Sequence, residues 1–410
     1  MNYIIRNEIT YKRYSGKIKF TKLTKEYKIK KSAILTLLLL SMTTMMSNVA
    51  IVTTLPRLQN YFSNVDNIEF YSRLILTLPS LVIAFLAPFM GHLIFKFGKK
   101  KSAIIALLIF AIAGSAGLYL ETIEEFLISR SVFGIAVSTL MIVSTSLVGD
   151  YFKDEQRHKF MGYQSAFIAI GGIFFVFGGG FLSDINWRFP FGIYLIGLIL
   201  LPMVLFFLYE VPNKIEIQTE ISITLPKKLL GIYFLGFFYM LIFFVLPTQM
   251  PFLIIDHFGG TGKMTGSIIA LAFLSNALGA ITFSKLKKKY NFSTIYIIGL
   301  CIVAIGFTGI GLVKNIYLFY LTAPILGFGG GVMMTNITAW MLSCTTFEKR
   351  VKASGYLTGS LFLGQFFSPI VFHPLITIVG VQNFFEVVGA FLFILIIITL
   401  IYKKTRSYAD

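Results

Sequence analysis

The chain has 410 residues, 56% of them apolar and 13% charged, with 43 phenylalanines and a formal net charge of +18. So few polar residues cannot cover the surface of a water-soluble protein of this length. The positive charge does not mark a nucleic-acid binder, because the basic residues cluster at the ends of apolar segments and line no groove or helix face.

Residues 1–31 are basic and polar. The apolar run behind them is too long for a signal-peptide core, so they read as an uncleaved cytoplasmic tail. Twelve apolar segments follow, each near the length that crosses ~30 Å of hydrocarbon. They span roughly 32–55, 70–94, 102–120, 125–149, 158–182, 188–210, 228–255, 264–286, 292–313, 316–343, 351–377 and 381–402. With the N-terminus inside, the inner loops and tails hold about 30 of the 36 Lys and Arg, a strong positive-inside asymmetry. Both termini are then cytoplasmic. The loop after span 6, with Pro212 and Pro226, divides the spans six and six. The expected organisation is a basic tail over 1–31, a six-helix half over 32–210, a linker over 211–227, a second half over 228–403 and a short tail over 404–410. The fold class is an all-α membrane protein of twelve transmembrane helices.

In span 1, Ser41, Thr44 and Asn48 are spaced three and four apart and share one helix face, with Met45 and Met46 beside them. The loop after span 2 reads Gly91-x3-Phe95-x3-Lys99-Lys100-Lys101, and the loop after span 8 repeats it as Gly279-x3-Phe283-x3-Lys287-Lys288-Lys289. The loop after span 4 reads Arg157-x-Lys159-x2-Gly162-Tyr163, and the loop after span 10 repeats it as Arg350-x-Lys352-x2-Gly355-Tyr356. Two repeats half a chain apart predict two similar halves related by a parallel pseudo-repeat.

Span 4 contains Arg130, about six residues or ~9 Å below its outer edge. A charge at that depth is costly, and the choice lies between a functional role and snorkelling to the interface. The offset that carries Arg157 onto Arg350 carries Arg130 onto Ala323, so this arginine has no twin. Further polar residues lie at Gln164 in span 5, Gln249 between Pro247 and Pro251 in span 7, Asn276 in span 8, Asn336 and Trp340 in span 10, and Gln365 in span 11. Each alone suits an interhelical hydrogen bond. Together they suggest a mildly polar, aromatic-rich cavity for a small molecule. No Asp or Glu sits mid-span in the helices expected to line it, which leaves Glu69, Glu386 and the inner-end Asp150 as candidate proton carriers.

Several chemistries are not supported. Cys301 and Cys344 form no metal or disulfide pattern, and the four histidines are scattered. Gly260-Thr261-Gly262-Lys263 lacks the leading Gly and trailing Ser/Thr of a phosphate loop, so no ATP site is expected. There is no catalytic constellation, and no cofactor is implied.

The first repeated loop resembles the signature of the major facilitator superfamily, Gly-x3-Asp-Arg/Lys-x-Gly-Arg/Lys-Arg/Lys. Gly91, Lys96, Gly98, Lys99 and Lys100 match it, and Phe95 stands where the family has an acid. The resemblance implies an inner gate built from these residues with Asp150 and Arg157. Asp150 would pair with Lys96 or Lys99, or sit as a solvated helix end. Arg130-x3-Gly134 matches the family's span 4 motif, which implies a part in proton coupling. Gly178-Gly179 and Trp187-Arg188-x2-Phe191 fit the antiporter branch, but Phe174-Phe175 replaces its Gly-Pro. Thr54-Leu55-Pro56 and Ser360-x3-Gly364-Gln365-x2-Ser368-Pro369 are similar to twelve-span drug:proton antiporters. The implied protein is a monomeric transporter of the bacterial inner membrane that exports small, fairly apolar compounds against protons. An importer or facilitator is the alternative, and a non-transporting sensor is the third reading.

Overall fold

The structure is a computed structural model and describes residues 3–6, 10–14, 17–21, 26–152, 154–210, 226–346 and 349–406. The linker between the halves lies almost wholly outside these, as do the side chains of Asn48 and Phe95.

Among the described residues, twelve helices are long and apolar enough to cross a membrane. Span 1 is Lys31–Val49, continued through a 3-10 turn at Val52–Thr54 into Leu55–Tyr61. Spans 2 to 6 are Ile68–Phe97, Lys99–Ser115, Ile123–Tyr151, Asp154–Ile185 and Ile196–Phe207. Span 7 is broken into Lys228–Phe243, Val245–Pro251 and a π turn at Phe252–His257. This is where Pro247 and Pro251 deprive the helix of two N–H donors. Spans 8 to 12 are Gly262–Lys287, Phe292–Gly311, Phe319–Ser343, Arg350–Val379 and Val381–Arg406.

Ahead of the bundle, the described part of the basic tail is extended. Tyr3–Arg6 pairs with Glu26–Ile29, and Thr10–Tyr14 with Lys17–Thr21, as two antiparallel ribbons. Lys17-Ile-Lys-Phe20 and Glu26-Tyr-Lys-Ile29 alternate charged and apolar residues with the two-residue period of a strand.

The two halves repeat the same packing. In the first, span 2 packs on 4, 3 on 4, 1 on 5 and 3 on 6; in the second, span 8 packs on 10, 9 on 10, 7 on 11 and 9 on 12. Each relation recurs six spans later, so the sequence repeat is a structural one. The halves meet mainly through two exchanged pairs, span 5 with span 8 and span 2 with span 11.

With an even number of crossings, both chain ends leave the bundle on one face. That face carries the lysine-rich loops and is called the basic face below; the other is the opposite face. At the basic face, Gly98 ends span 2 with φ +90 and starts span 3. A Cβ there would lie 2.6 Å from the Glu210 carboxylate, which accepts from the Lys99 N–H. Glycine is therefore favoured by the left-handed conformation, and a larger residue would also have to displace the Glu210 carboxylate.

Spans 8 and 10 approach closely because Gly279, Gly327 and Gly331 present no side chain: each faces a backbone carbonyl, that of Phe328, Ala272 and Asn276 respectively. Substituting Gly331 by Val is expected to destabilise the purified protein by about 1–3 kcal/mol through overpacking. Gly162→Ala, where no atom lies within 4 Å of the new methyl, is expected to keep or slightly raise the melting temperature, since alanine gains about 0.5–1 kcal/mol over glycine inside a helix. Thermal unfolding of both variants in detergent checks the pair.

Candidate functional site

The residues named from the sequence separate into four places. The first is the basic face. Lys99 Nζ pairs with Asp150 Oδ2 at 2.6 Å, joining the start of span 3 to the end of span 4. Lys100 Nζ donates to the Leu205 carbonyl at 2.7 Å. Arg157 donates from Nη2 to the Gly149 carbonyl at 2.9 Å and from Nε to the Phe152 carbonyl at 3.1 Å, capping the end of span 4. Lys96 is exposed, and no atom lies within 4 Å of a Cβ built on Gly91. All these bonds lie inside the first half. In the repeat, Lys287 sits over the Phe292 ring at 4.2 Å, and Asn291 caps span 9 through the Thr294 N–H.

The second place is the interior of the first half, around Arg130. The side chain is 0% exposed. Its Nη2 donates to the carbonyls of Ala113 at 2.6 Å and Gly114 at 2.8 Å, where span 3 ends. The rings of Phe133, Phe191 and Tyr194 surround the guanidinium at 4.8 to 5.5 Å. Carbonyls at a helix C-terminus carry partial negative charge, so the cation is held by the end of span 3 and by ring faces from span 4 and from the 3-10 turn Phe189–Leu195 before span 6. Among the described residues, no carboxylate pairs with it. Glu386, the second proton-coupling candidate, packs beside Gly311 between spans 9 and 12.

The third place is the middle of the bundle. Gln164 Nε2 donates to Ser41 Oγ at 2.7 Å, and Ser41 and Ser144 hydroxyls lie 2.8 Å apart, tying spans 5, 1 and 4. Met45 lies against Gly172, which also faces Phe273 of the second half. Thr44 bonds to the Ser41 carbonyl of its own helix. Gln365 accepts from Ser80 at 2.9 Å, across the seam between spans 2 and 11. Asn276 lies beside Gly330. Nearer the basic face, where Phe292 opens span 9, Asn336 donates to the Phe292 carbonyl at 3.0 Å and Trp340 stacks on its ring, so this pair joins span 10 to span 9.

The fourth place is the opposite face. Arg73, 3% exposed, donates from Nε to Gln249 Oε1 at 3.2 Å and from Nη1 to the Glu69 carbonyl at 2.6 Å. It also lies 4.4 Å over the Phe252 ring. Gln249 and Phe252 belong to broken span 7, so this contact crosses between halves. A cleft of about 430 Å³ opens beside it, lined among others by Glu69, Arg73, Phe252, Asp256 and Thr377. Asp184 bonds to Arg57 on one side and to the first turn of span 8 on the other. From the sequence Glu69 is a proton-carrier candidate, while Arg57, Arg73, Asp184 and Asp256 fall in outer loops or at span ends. One signal was available: Gly262-x3-Gly266 is a small-residue pair that allows close helix approach.

A family model described as Major Facilitator Superfamily matches residues 37–248 and 232–409. Multidrug resistance protein 2 of Bacillus subtilis (strain 168) is 26% identical over 275 residues, which covers 64% of each chain, just under two thirds of the relative's length. Multidrug resistance protein 1 of the same organism is 27% identical over 297 residues, covering 70% of this chain and 75% of the relative. Among solved structures, the nucleoside transporter NupG superposes with a TM-score of 0.74 at 15% identity, over 90% of this chain and 99% of that one.

Removing the Arg130 guanidinium takes one donor from the Gly114 carbonyl and leaves the Ala113 carbonyl to Ser129 Oγ alone. Arg130→Met is expected to lower the melting temperature, a loss of about 1–3 kcal/mol. Unfolding in detergent measures it; a stability equal to the parent's would contradict the bracing geometry.

Proposed function

The chain belongs to the major facilitator superfamily, and on that premise we propose that it is a proton-coupled exporter of small, relatively apolar compounds working by alternating access. The observation that carries the reading is the unequal engagement of the two faces. At the opposite face, Arg73 and Asp184 bond across the halves and Gly180 meets Gly262. At the basic face, the bonds described for Lys99, Lys100 and Arg157 all stay within the first half. Two repeated bodies joined chiefly by two helix pairs can rock about that seam. The matched relatives' names, multidrug resistance proteins, favour export.

The positive-inside asymmetry supports a cytoplasmic basic face, and the family supports a multi-pass position in the cell membrane. The path for substrate then runs past Thr44, Met45, Asn48, Gln164, Asn276 and Gln365. Gln249, Asn336 and Trp340 act from their hydrogen-bonded and stacked positions, as supports of that path. The basic-face group of Gly91, Lys96, Gly98, Lys99, Lys100, Asp150 and Arg157 keeps the first half rigid while it moves. Of the coupling candidates, Glu69 carries the proton: it is solvent-accessible, lines the cleft between halves, and its Oε2 lies 3.9 Å from Arg73 Nη1. Glu386 lies laterally, and Arg130 braces the half that must move as one body. The protein acts as a monomer and requires neither ATP nor a cofactor. A second reading, import or facilitation of a metabolite, draws on Phe174 and Phe175 standing where antiporters carry Gly-Pro.

Purified protein in vesicles is expected to move a lipophilic fluorescent compound when a pH gradient is imposed and to stop when the gradient is collapsed. Flux unchanged by the collapse would refute coupling, and net uptake into intact cells would favour the second reading. Glu69→Gln is expected to abolish gradient-driven flux while substrate counterflow continues. Equal loss of both would show that Glu69 serves substrate binding or folding instead.

A further inference from the structure

One carboxylate closes the seam between spans 5 and 8 at the opposite face. Asp184 Oδ1 accepts from Arg57 Nη2 at 2.7 Å and from the Gly262 N–H at 2.7 Å, and Oδ2 accepts from the Lys263 N–H at 2.8 Å. Arg57 and Asp184 belong to the first half, and Gly262 and Lys263 open span 8 in the second. The first turn of a helix has N–H groups with no partner in the helix, and its dipole favours an anion there. Thr261 takes the Met264 N–H, which leaves those of Gly262 and Lys263 to the carboxylate.

The surroundings are shaped for this contact. A Cβ on Gly180 would overlap the Gly262 carbonyl, and one on Gly266 would lie 2.6 Å from the Val176 carbonyl. Only glycine at these positions lets span 8 come near enough for its amides to reach Asp184. The other seam is built differently. The offset between Arg157 and Arg350 carries Asp184 onto Thr377. That hydroxyl bonds to the Pro374 carbonyl of its own helix, and the residue faces the open cleft.

We propose that Asp184 is the latch of the opposite-face gate, a positioning residue that holds the halves together by capping span 8 across the seam. The proposal deepens the alternating-access reading and depends on it for its meaning in transport. Opening this gate exchanges two amide bonds for water in one movement. Arg57 stays with its own half and keeps the carboxylate aimed.

Spin labels at the exposed positions Ser63 and Tyr317, with Cys301 and Cys344 replaced by Ala, report the gate distance in lipid nanodiscs. Asp184→Asn keeps the shape and removes the charge. It is expected to raise the long-distance population relative to the short one by about tenfold. Arg57→Gln, which leaves both amide bonds, is expected to shift it less. A distribution unchanged by Asp184→Asn overturns the proposal, as does a shift by Arg57→Gln that is as large. Should the variant not fold, hydrogen exchange on the unsubstituted protein decides. Protected Gly262 and Lys263 amides support the latch, and exchange at unprotected rates overturns it. None of these measurements uses substrate, so absent flux would sink the transport reading while leaving the gate result intact.

Discussion

Hydrocarbon offers no partner to a peptide group, so wherever a membrane helix stops or bends, the protein must supply the missing donor or acceptor itself. This constraint explains most of the polar chemistry in the bundle. Span 3 ends early, and its last carbonyls are taken by Arg130 and by Arg188, whose Nη1 bonds to Gly117 and Leu120. Span 9 ends at the equivalent place, and Gln382 donates to the carbonyls of Gly311 and Val313. Where span 1 breaks, the Tyr194 hydroxyl lies near the carbonyls of Met46 and Ser47. The same logic places Asp184 on the free amides that start span 8.

These examples separate what could be read along the chain from what could not. The two halves were legible because repeated loop residues mark corresponding turns, and the packing relations then recur six spans apart. The interhelical bonds of Gln164 and Gln365 were legible in kind, since a lone amide in an apolar helix needs a partner. The start of span 4 was readable too: Thr122 and Glu125 form a capping box that the apolar pattern, beginning at 125, passes over. The opposite-face bonds were not legible. Arg57 lies 127 residues from Asp184, and Arg73 lies 176 from Gln249. A charge at a span end looks the same whether water or the other half faces it. Arg130 was recognised as unusual, but its partners are backbone atoms, which leave no mark in side-chain identity.

The halves are alike in architecture and unlike in chemistry. On the basic face, the first copy of the repeated loop is fixed by an ion pair, Lys99 with Asp150, and the second by a cation over a ring, Lys287 with Phe292. On the opposite face, one seam is sealed by Asp184 and the other opens into a cleft beside Arg73. Rigid halves with a few strong cross-bonds at one end suit a bistable body better than a continuously flexible one.

If each half moves as a unit, the two faces open in alternation. Simultaneous distance measurements, with one label pair across each face in the same lipid preparation, decide this. Every increase in opposite-face distance is then matched by a decrease at the basic face. Distances that change on one face while the other stays constant would contradict it.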